Sequence, residues 1–443
     1  MDQIIPLGEE AALLARPQLE SLAESDDEYR RWREDIGNHH YDDPFVDLIV
    51  VDNRTRIHDR VINDLIRHPV DAPLDLAMLR RDLEEIYELG LIEVVDFNLA
   101  LVDGYNILTI IVIEKHYSPY IIHVGGAYTL GYDGNSNILL RARINKREIN
   151  RYGAEWRTDL SVGQVTGIET EFYQPLGFGR AWFLRTSAIG AYRRDSFYLD
   201  GFNLASYRHT QLGWGLFGGL NVKHATRLQA GFDVVRAFTK PSSGIPLPEV
   251  AETSSGPGAQ ILTDVLDDHR IPHDGFFLKL DWRGPRGWFD SDRKFDRLWG
   301  NMTLAHTFGH TTLLGFFQGG SDLDSGMPYY DAFFLGGMRS LSGYKRDRLR
   351  GSTFGVGSLG VMQRLGGGTL PFASRYYLGF WFDVGNTWAS TVDASFRNLR
   401  YNGAVSFIMD TPLGPLEIGY GQAEHGDYAF HLQFGIHISS PVN

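Results

Sequence analysis

The sequence predicts a mainly β protein: a 16-stranded antiparallel transmembrane β-barrel preceded by one small β-α-α-β-β domain. Three observations predict it. From about residue 119 the chain runs in segments of roughly 10–14 residues with apolar and polar side chains alternating at period 2, the signature of strands with one apolar face. Glycine (50 residues) and aromatics (13%) are abundant, as expected where strands bend and where a wall meets lipid headgroups. Mean hydropathy is −0.22 and no run of 18 apolar residues occurs. That excludes a membrane-spanning helix but not a barrel, whose alternation hides from hydropathy averages.

The 443 residues allow two to three domains. The absence of cysteine excludes a disulfide framework, thiol catalysis and thiolate metal sites. Net charge is −13 and unevenly placed. Residues 1–118 hold 26 acids and 11 Lys/Arg, a balance of −15, and the rest hold 29 acids and 31 Lys/Arg, a balance of +2. An acidic arm before a near-neutral body argues against nucleic acid as a partner. Met1 is followed by DQIIPLGEE, with neither a basic n-region nor an apolar h-region. Since a secreted barrel needs a signal peptide, either it has been removed or the chain is a piece of something longer, and the second is favoured.

Residues 1–44 read as a helical linker or the tail of an upstream domain. One or two helices fall within 7–36, and Ser25 with Glu28 forms a capping box. Residues 45–117 read as the small domain. FVDLIVVDN is a strand, and RIHDRVINDLIRH places Ile57, Val61, Ile62 and Leu65 on one helical face. LDLAMLRRDLEEIYELG places Leu76, Leu79, Leu83, Ile86 and Tyr87 on another, with Gly90 suited to its C-cap. LIEVVDFNLAL and YNILTIIVIEK are strands joined by Asp103-Gly104, a hairpin signal.

Residues 118–443 read as the barrel. NILLRARINKR puts Ile138, Leu140, Ala142 and Ile144 on one face against Leu139, Arg141, Arg143 and Asn145. AEWRTDLSV sends Trp156, Leu160 and Val162 outward. In YAFHLQFGIHI, Phe430, Leu432, Phe434, Ile436 and Ile438 oppose His431, Gln433, Gly435 and His437. A soluble sandwich gives the same alternation. Segment length, charge on the face that would line a lumen, and short turns alternating with long loops at 239–258 and 320–352 favour the membrane barrel. The segments include 180–196, 208–222, 227–238, 259–271 and 276–288, ending with 428–438.

No Gly-x-Ser-x-Gly, HExxH, Walker A or dinucleotide-binding glycine pattern occurs, so no catalytic residue and no cofactor is expected. His306 and His310 flank a short turn, and His39-His40 is a pair in the linker; solvated side chains are the simpler reading of both, and no metal is expected. The most informative segment is 329–351, YYDAFFLGGMRSLSGYKRDRLRG. It can be a solvated surface loop or a loop folded into the barrel. Phe333-Phe334-Leu335 favours the second, because an exposed loop has little reason to carry them.

FFLGGMRSLSGY (333–344) resembles the sixth extracellular loop motif of the bacterial surface antigen superfamily, which includes barrel-assembly proteins and two-partner secretion transporters. GFWFDVGNTW (379–388) resembles its strand 13, YNGAVSFIMDTPLGPLEIGYG (401–421) its strands 14 and 15, and FHLQFGIHI (430–438) its C-terminal insertion signal. The small domain resembles a POTRA domain. IIPLGEEAALLARPQLESLAES, GAEWRTDLSVG and IETEFYQPLG resemble patatin-like phospholipases fused to a POTRA domain and a barrel, the type Vd autotransporters.

The resemblance implies an outer-membrane protein of a Gram-negative bacterium with its N-terminal region in the periplasm. It implies outer-membrane lipid, a passenger polypeptide (an upstream patatin domain) and the barrel-assembly machinery as partners, and leaves a homodimer open. Its alternative is a stand-alone two-partner transporter or insertase of the same superfamily. The motif residues are Gly336, Gly337, Arg339, Ser342, Gly343, Tyr344, Lys345 and Arg346, with Asp383 as strand partner. The insertion signal is Phe430, Leu432, Phe434, Gly435 and Ile438. Relatives often carry arginine where this chain has Ser342. Alternation points Asp383 into the lumen, where a lone carboxylate is costly. Arg339, then Lys345 or Arg346, is expected to reach it, with Tyr344 near the tip of the loop. The alternative is that Asp383 meets water or a base on a neighbouring strand.

Overall fold

The structure, a computed structural model, describes residues 12–19, 23–38, 44–89, 92–115, 120–177, 180–199, 202–223, 225–244, 249–289, 291–367 and 374–435. His39, His40, Gly90, Ile436, His437 and Ile438 lie outside the described residues. The chain forms two compact units.

Near the N-terminus are helices α1 (Arg16–Leu19) and α2 (Asp26–Asn38). The Glu28 amide donates to Ser25 Oγ at 3.3 Å, and the Ser25 amide donates back to the Glu28 carboxylate at 3.2 Å. This is the reciprocal cap the sequence predicts.

The next elements are β1 (Phe45–Val46), β2 (Leu48–Arg54), α3 (Asp59–Asn63), β3 (Ala72–Pro73), α4 (Leu76–Tyr87), β4 (Ile92–Val102) and β5 (Tyr105–Glu114). The β-α-α-β-β order holds, with the short β1 and β3 pairing as an addition. The sheet order is β2-β5-β4, which leaves β2 and β4 at the edges. Asp103 and Gly104 both take positive φ, 51° and 85°, as a two-residue hairpin turn requires. Ile57, Val61 and Ile62 are buried as expected. Helix α4 departs from its expected face: Leu79 and Ile86 are buried, but Leu76 and Tyr87 are exposed and Asp82 is buried. The Asp82 carboxylate accepts the amides of Arg67 and His68, both at 2.9 Å. Two backbone donors without a ladder are satisfied this way, and that demand turns the helix away from its apolar periodicity.

The barrel is a closed antiparallel ring of 16 strands. They are β6 (Tyr120–Gly131), β7 (Ser136–Lys146), β8 (Glu155–Gly163), β9 (Val165–Leu176), β10 (Trp182–Leu199), β11 (Phe202–Val222), β12 (Thr226–Gly244) and β13 (Val250–Asp264). There follow β14 (Gly275–Arg283), β15 (Arg297–Phe308), β16 (Thr311–Ser321), β19 (Thr353–Gly366), β20 (Arg375–Trp388), β21 (Arg400–Thr411), β22 (Gly414–Ala423) and β23 (Tyr428–Gly435). Each strand pairs with its successor, and β23 closes the ring on β6. Two short strands, β17 (Phe333–Leu335) and β18 (Leu349–Gly351), pair only with each other.

Closure leaves no unpaired edge, which is what a sheet needs to sit in lipid. Along each strand the faces alternate as predicted. Ile138 and Leu140 are exposed while Leu139 is buried, and Phe380 and Phe382 are exposed while Trp381 and Asp383 are buried. Inward charges pair across strands: Arg143 with Asp159 (2.6 and 2.8 Å), Arg157 and Arg185 with Glu171 (3.1 and 3.0 Å), and Arg283 with Asp233 (2.8 and 2.9 Å).

The expected loop at 239–258 is a correction. Strand β12 continues to Gly244 and β13 begins at Val250. Likewise β10 and β11 run on to Leu199 and from Phe202. These four strands have 18, 21, 19 and 15 residues, whereas about 9–11 cross a bilayer. Backbone ladders hold the surplus together; in β12 and β13 it falls where the sequence turns polar and rich in Pro, Ser and Gly, so no apolar alternation marks the strand there.

Candidate functional site in the barrel lumen

Residues 322–352 join β16 to β19 and form the longest connection in the barrel. A connecting segment normally lies on the surface. This one is buried over most of Tyr330–Lys345 and bonds inward-facing groups of the wall. Its Phe333, Leu335, Leu341 and Tyr344 form one buried cluster with Phe295, Met327, Phe354 and Val356. Met338 lies in a separate cluster with Tyr377, Trp381 and Ile408. Phe334 takes Arg193 at 4.2 Å and Arg350 at 5.2 Å from its ring centre, contacts in which a ring face attracts a cation. The loop is therefore inside the lumen, as the apolar run predicts.

Its tip is the turn from Gly337 to Tyr344. Gly336 and Gly337 take positive φ, and so do Arg339 and Leu341. The Arg339 amide donates to Ser342 Oγ at 2.8 Å. That hydroxyl thus stabilises the tight turn from within. The Ser342 amide donates to Asp383 Oδ2 on β20 at 2.6 Å, and the Gly343 amide to Asn402 Oδ1 on β21 at 3.0 Å. A Cβ on Gly343 would stand 2.3 Å from the Ala423 amide nitrogen, so only glycine lets the backbone approach the wall this closely.

The expected base for Asp383 is a second correction. Arg339 Nη1 instead reaches Glu417 Oε1 on β22 at 2.9 Å, and its guanidinium lies 5.1 Å from the centre of Trp381. Lys345 Nζ reaches Asp133 at 2.8 Å, in the turn between β6 and β7. The Arg346 carbonyl accepts from Asn137 at 2.9 Å, and its guanidinium lies 3.9 Å from Asp347. Asp383 Oδ2 takes the Ser342 amide instead, and none of the three candidate bases reaches it. Tyr344 ends the tip, and its hydroxyl accepts from Arg400 at 3.0 Å.

Four participants were not singled out from sequence: Glu417, Asn402, Asp133 and His431. His431 Nε2 lies 2.8 Å from the Ser342 carbonyl. Alternation had already turned His431 inward; nothing local tied it to the loop. On the opposite face of β23, Phe430, Leu432 and Phe434 are exposed. Gly435 has φ 76°, and a Cβ there would stand 2.0 Å from the Val124 carbonyl. Among the described residues no group of three or more His, Cys, Asp or Glu could hold a metal. His306 Nδ1 lies 2.8 Å from Asp274.

Residues 150–439 match the model of the Omp85 superfamily domain, and the chain belongs to that superfamily. Among solved structures it is similar to BamA from Haemophilus ducreyi lacking POTRA domains 1–3, with TM-score 0.63 and 14% identity over 88% of this chain and 84% of that one. It is also similar to CdiB from Acinetobacter baumannii (0.60, 11%, 88% and 74%) and CdiB from Escherichia coli (0.55, 12%, 89% and 77%). No curated protein matches the sequence. The chain is an outer-membrane β-barrel of the Omp85 family.

Proposed function

We propose that this chain is the translocation and anchoring unit of a patatin-like autotransporter, passing a covalently attached passenger polypeptide across the outer membrane. The observation that carries the reading is the way the lumen is filled. The 322–352 loop enters no backbone ladder of the wall, since β17 and β18 pair only with each other. Side-chain bonds and packing hold it, so it can leave without breaking the ring. A lumen lined by paired charges and filled by a removable segment suits a conduit for an extended chain.

The small N-terminal domain faces the periplasm in this reading, and the edges of β2 and β4 accept the passing chain by β-augmentation. Lipid meets the outward apolar face, and the barrel-assembly machinery reads the last strand. The chain itself hydrolyses no lipid, because it carries no Gly-x-Ser-x-Gly nucleophile. A stand-alone transporter or insertase acting on a separate substrate is the second reading, favoured by the likeness to BamA and CdiB.

The discriminating experiment fuses a protease-sensitive reporter to the N-terminus and compares it with the same reporter supplied as a separate chain. The autotransporter reading expects protease on intact cells to cleave only the fused reporter. Delivery of the separate reporter alone would select the second reading.

A further inference from the structure

We propose that the outward face of β10, β11 and β12 holds a docking site for a phosphorylated glycolipid, built on a row of three cations. Arg194 on β10 is the register partner of Arg208 on β11, and Arg208 is the partner of Lys240 on β12. All three side chains are exposed. They point outward, because their chain neighbours Arg193, His209 and Thr239 form the buried inner row of the same strands. Arg236 is exposed on the same face of β12, two outward positions before Lys240. Neighbouring strands lie about 4.8 Å apart, so three positive charges stand side by side. Like charges directly opposite each other destabilise a strand pair. Among the described residues no acid pairs with any of these four cations. An anion seated on the row would remove the repulsion.

The level of the row along the strands selects the anion. On β10 the outward face starts at Trp182 and Leu184, both exposed, and carries no charge as far as Tyr192. Trp182 to Tyr192 is 11 residues, and about 9–11 tilted residues cross a bilayer. Arg194 is the next outward residue, one step past the apolar band. Aromatic side chains mark the level where such a band meets headgroups. Tyr192 and Phe238 occupy that level, both register partners of Thr210. The Arg208 guanidinium lies 5.3 Å from the centre of Tyr192, and that of Arg236 lies 5.3 Å from the centre of Phe238. Both cations are thereby held against the wall at headgroup height. A guanidinium grips a phosphate with two parallel hydrogen bonds, and an ammonium adds a point charge. Leu212 and Trp214, exposed directly below the row on β11, offer acyl chains an apolar track that a soluble anion would not use. With the N-terminal domain in the periplasm, the orientation taken from the proposed function, this rim lies in the outer leaflet.

The test is native mass spectrometry of the full chain in detergent micelles, titrated with lipid A bearing two phosphates. Read in micelles, the result is independent of whether a passenger is translocated. A variant combining Arg194→Gln, Arg208→Gln and Lys240→Gln should bind at least about tenfold more weakly than the native chain. Lys223→Gln, which removes a cation from the turn at the opposite rim, should bind as the native chain does. Unchanged binding by the triple variant, or an equal loss in Lys223→Gln, would overturn the site. Lipid A stripped of its phosphates should bind no better to the native chain than to the triple variant; a native preference for it would show that phosphate is not what the row reads. Thermal unfolding gives a second measurement. In lipid-free micelles Arg208→Gln should melt above the native chain, because it relieves the like-charge contact, and lipid A should reverse that order. A native chain already the more stable without lipid would contradict the row's being held for a ligand. Inorganic phosphate that raises the native melting temperature as far as lipid A does would assign the row to a free anion and overturn the lipid.

Discussion

At position 342 a hydroxyl side chain stands where the resembling motif often carries arginine, and no neighbouring base takes the arginine's place beside Asp383. Asp383 accepts a backbone amide, and the arginine three residues earlier, Arg339, takes Glu417 instead. Glu417 is buried, so Arg339→Ala leaves a buried carboxylate without its cation. Removing one partner of such a pair costs about 3 kcal/mol or more. A guanidinium chloride titration in micelles should show that loss, and Arg339→Ala with Glu417→Ala should lose less than the two single variants summed. Additive losses would mean the pair contributes no coupling. At the rim, His269 Nε2 lies 2.5 Å from Asp264 Oδ2, and this hydrogen bond raises the imidazole's pKa above its ordinary 6.5. Because the folded value is the higher one, the pair's contribution is present in full below about pH 6.5. It fades as the pH rises through the folded midpoint. Nuclear magnetic resonance titration of His269 should give a midpoint above 6.5 that falls back in Asp264→Asn; an unshifted midpoint in the native chain contradicts the contact. The sequence made the inward direction of Asp383 and its three candidate bases legible. It did not reveal which acid each base would choose, because Glu417 and His431 lie 78 and 89 residues from their loop partners and no local periodicity records such pairings.

Strands were the most legible elements, since alternation is a local property and burial of one face enforces it. The limits of that signal show at β12 and β13, where the ladder outlasts the apolar pattern, and at α4, where Asp82 takes a place on the expected apolar face. The last strand makes the clearest element-scale prediction. Leu432 and Phe434 face outward, and an arginine at either should cost about 2–4 kcal/mol near the bilayer midplane and less near an interface. Refolding into lipid vesicles measures it, with no change expected if that face met water. Phe430, Phe434 and Gly435 should also serve assembly, so a Phe434→Ala, Gly435→Asp double variant should lower outer-membrane levels. Normal levels would show that any apolar strand suffices. Gly435 carries a conformational demand as well, because its positive φ and the nearby Val124 carbonyl leave no room for a Cβ.

On the scale of the whole molecule, ring closure and strand number follow from a pattern repeated along two-thirds of the chain, which is why they were legible without any single decisive motif. The filling of the lumen was foreshadowed by Phe333-Phe334-Leu335; the seating of the loop tip, which bonds four wall strands at once, was not. The folded barrel should migrate faster than its boiled form in mild detergent electrophoresis, and identical migration would argue against a closed ring. The central claim is that the lumen is the conduit and that the loop must yield. Gly131 and Lys345 allow a direct test, because a Cβ on Gly131 would lie 3.4 Å from that of Lys345, close to the spacing of a disulfide. Gly131→Cys with Lys345→Cys therefore tethers the loop to the wall in a chain with no other cysteine. Surface display of an N-terminally fused reporter should fail while the tether is oxidised and return on reduction. Display that proceeds undiminished with the loop tethered would contradict the account.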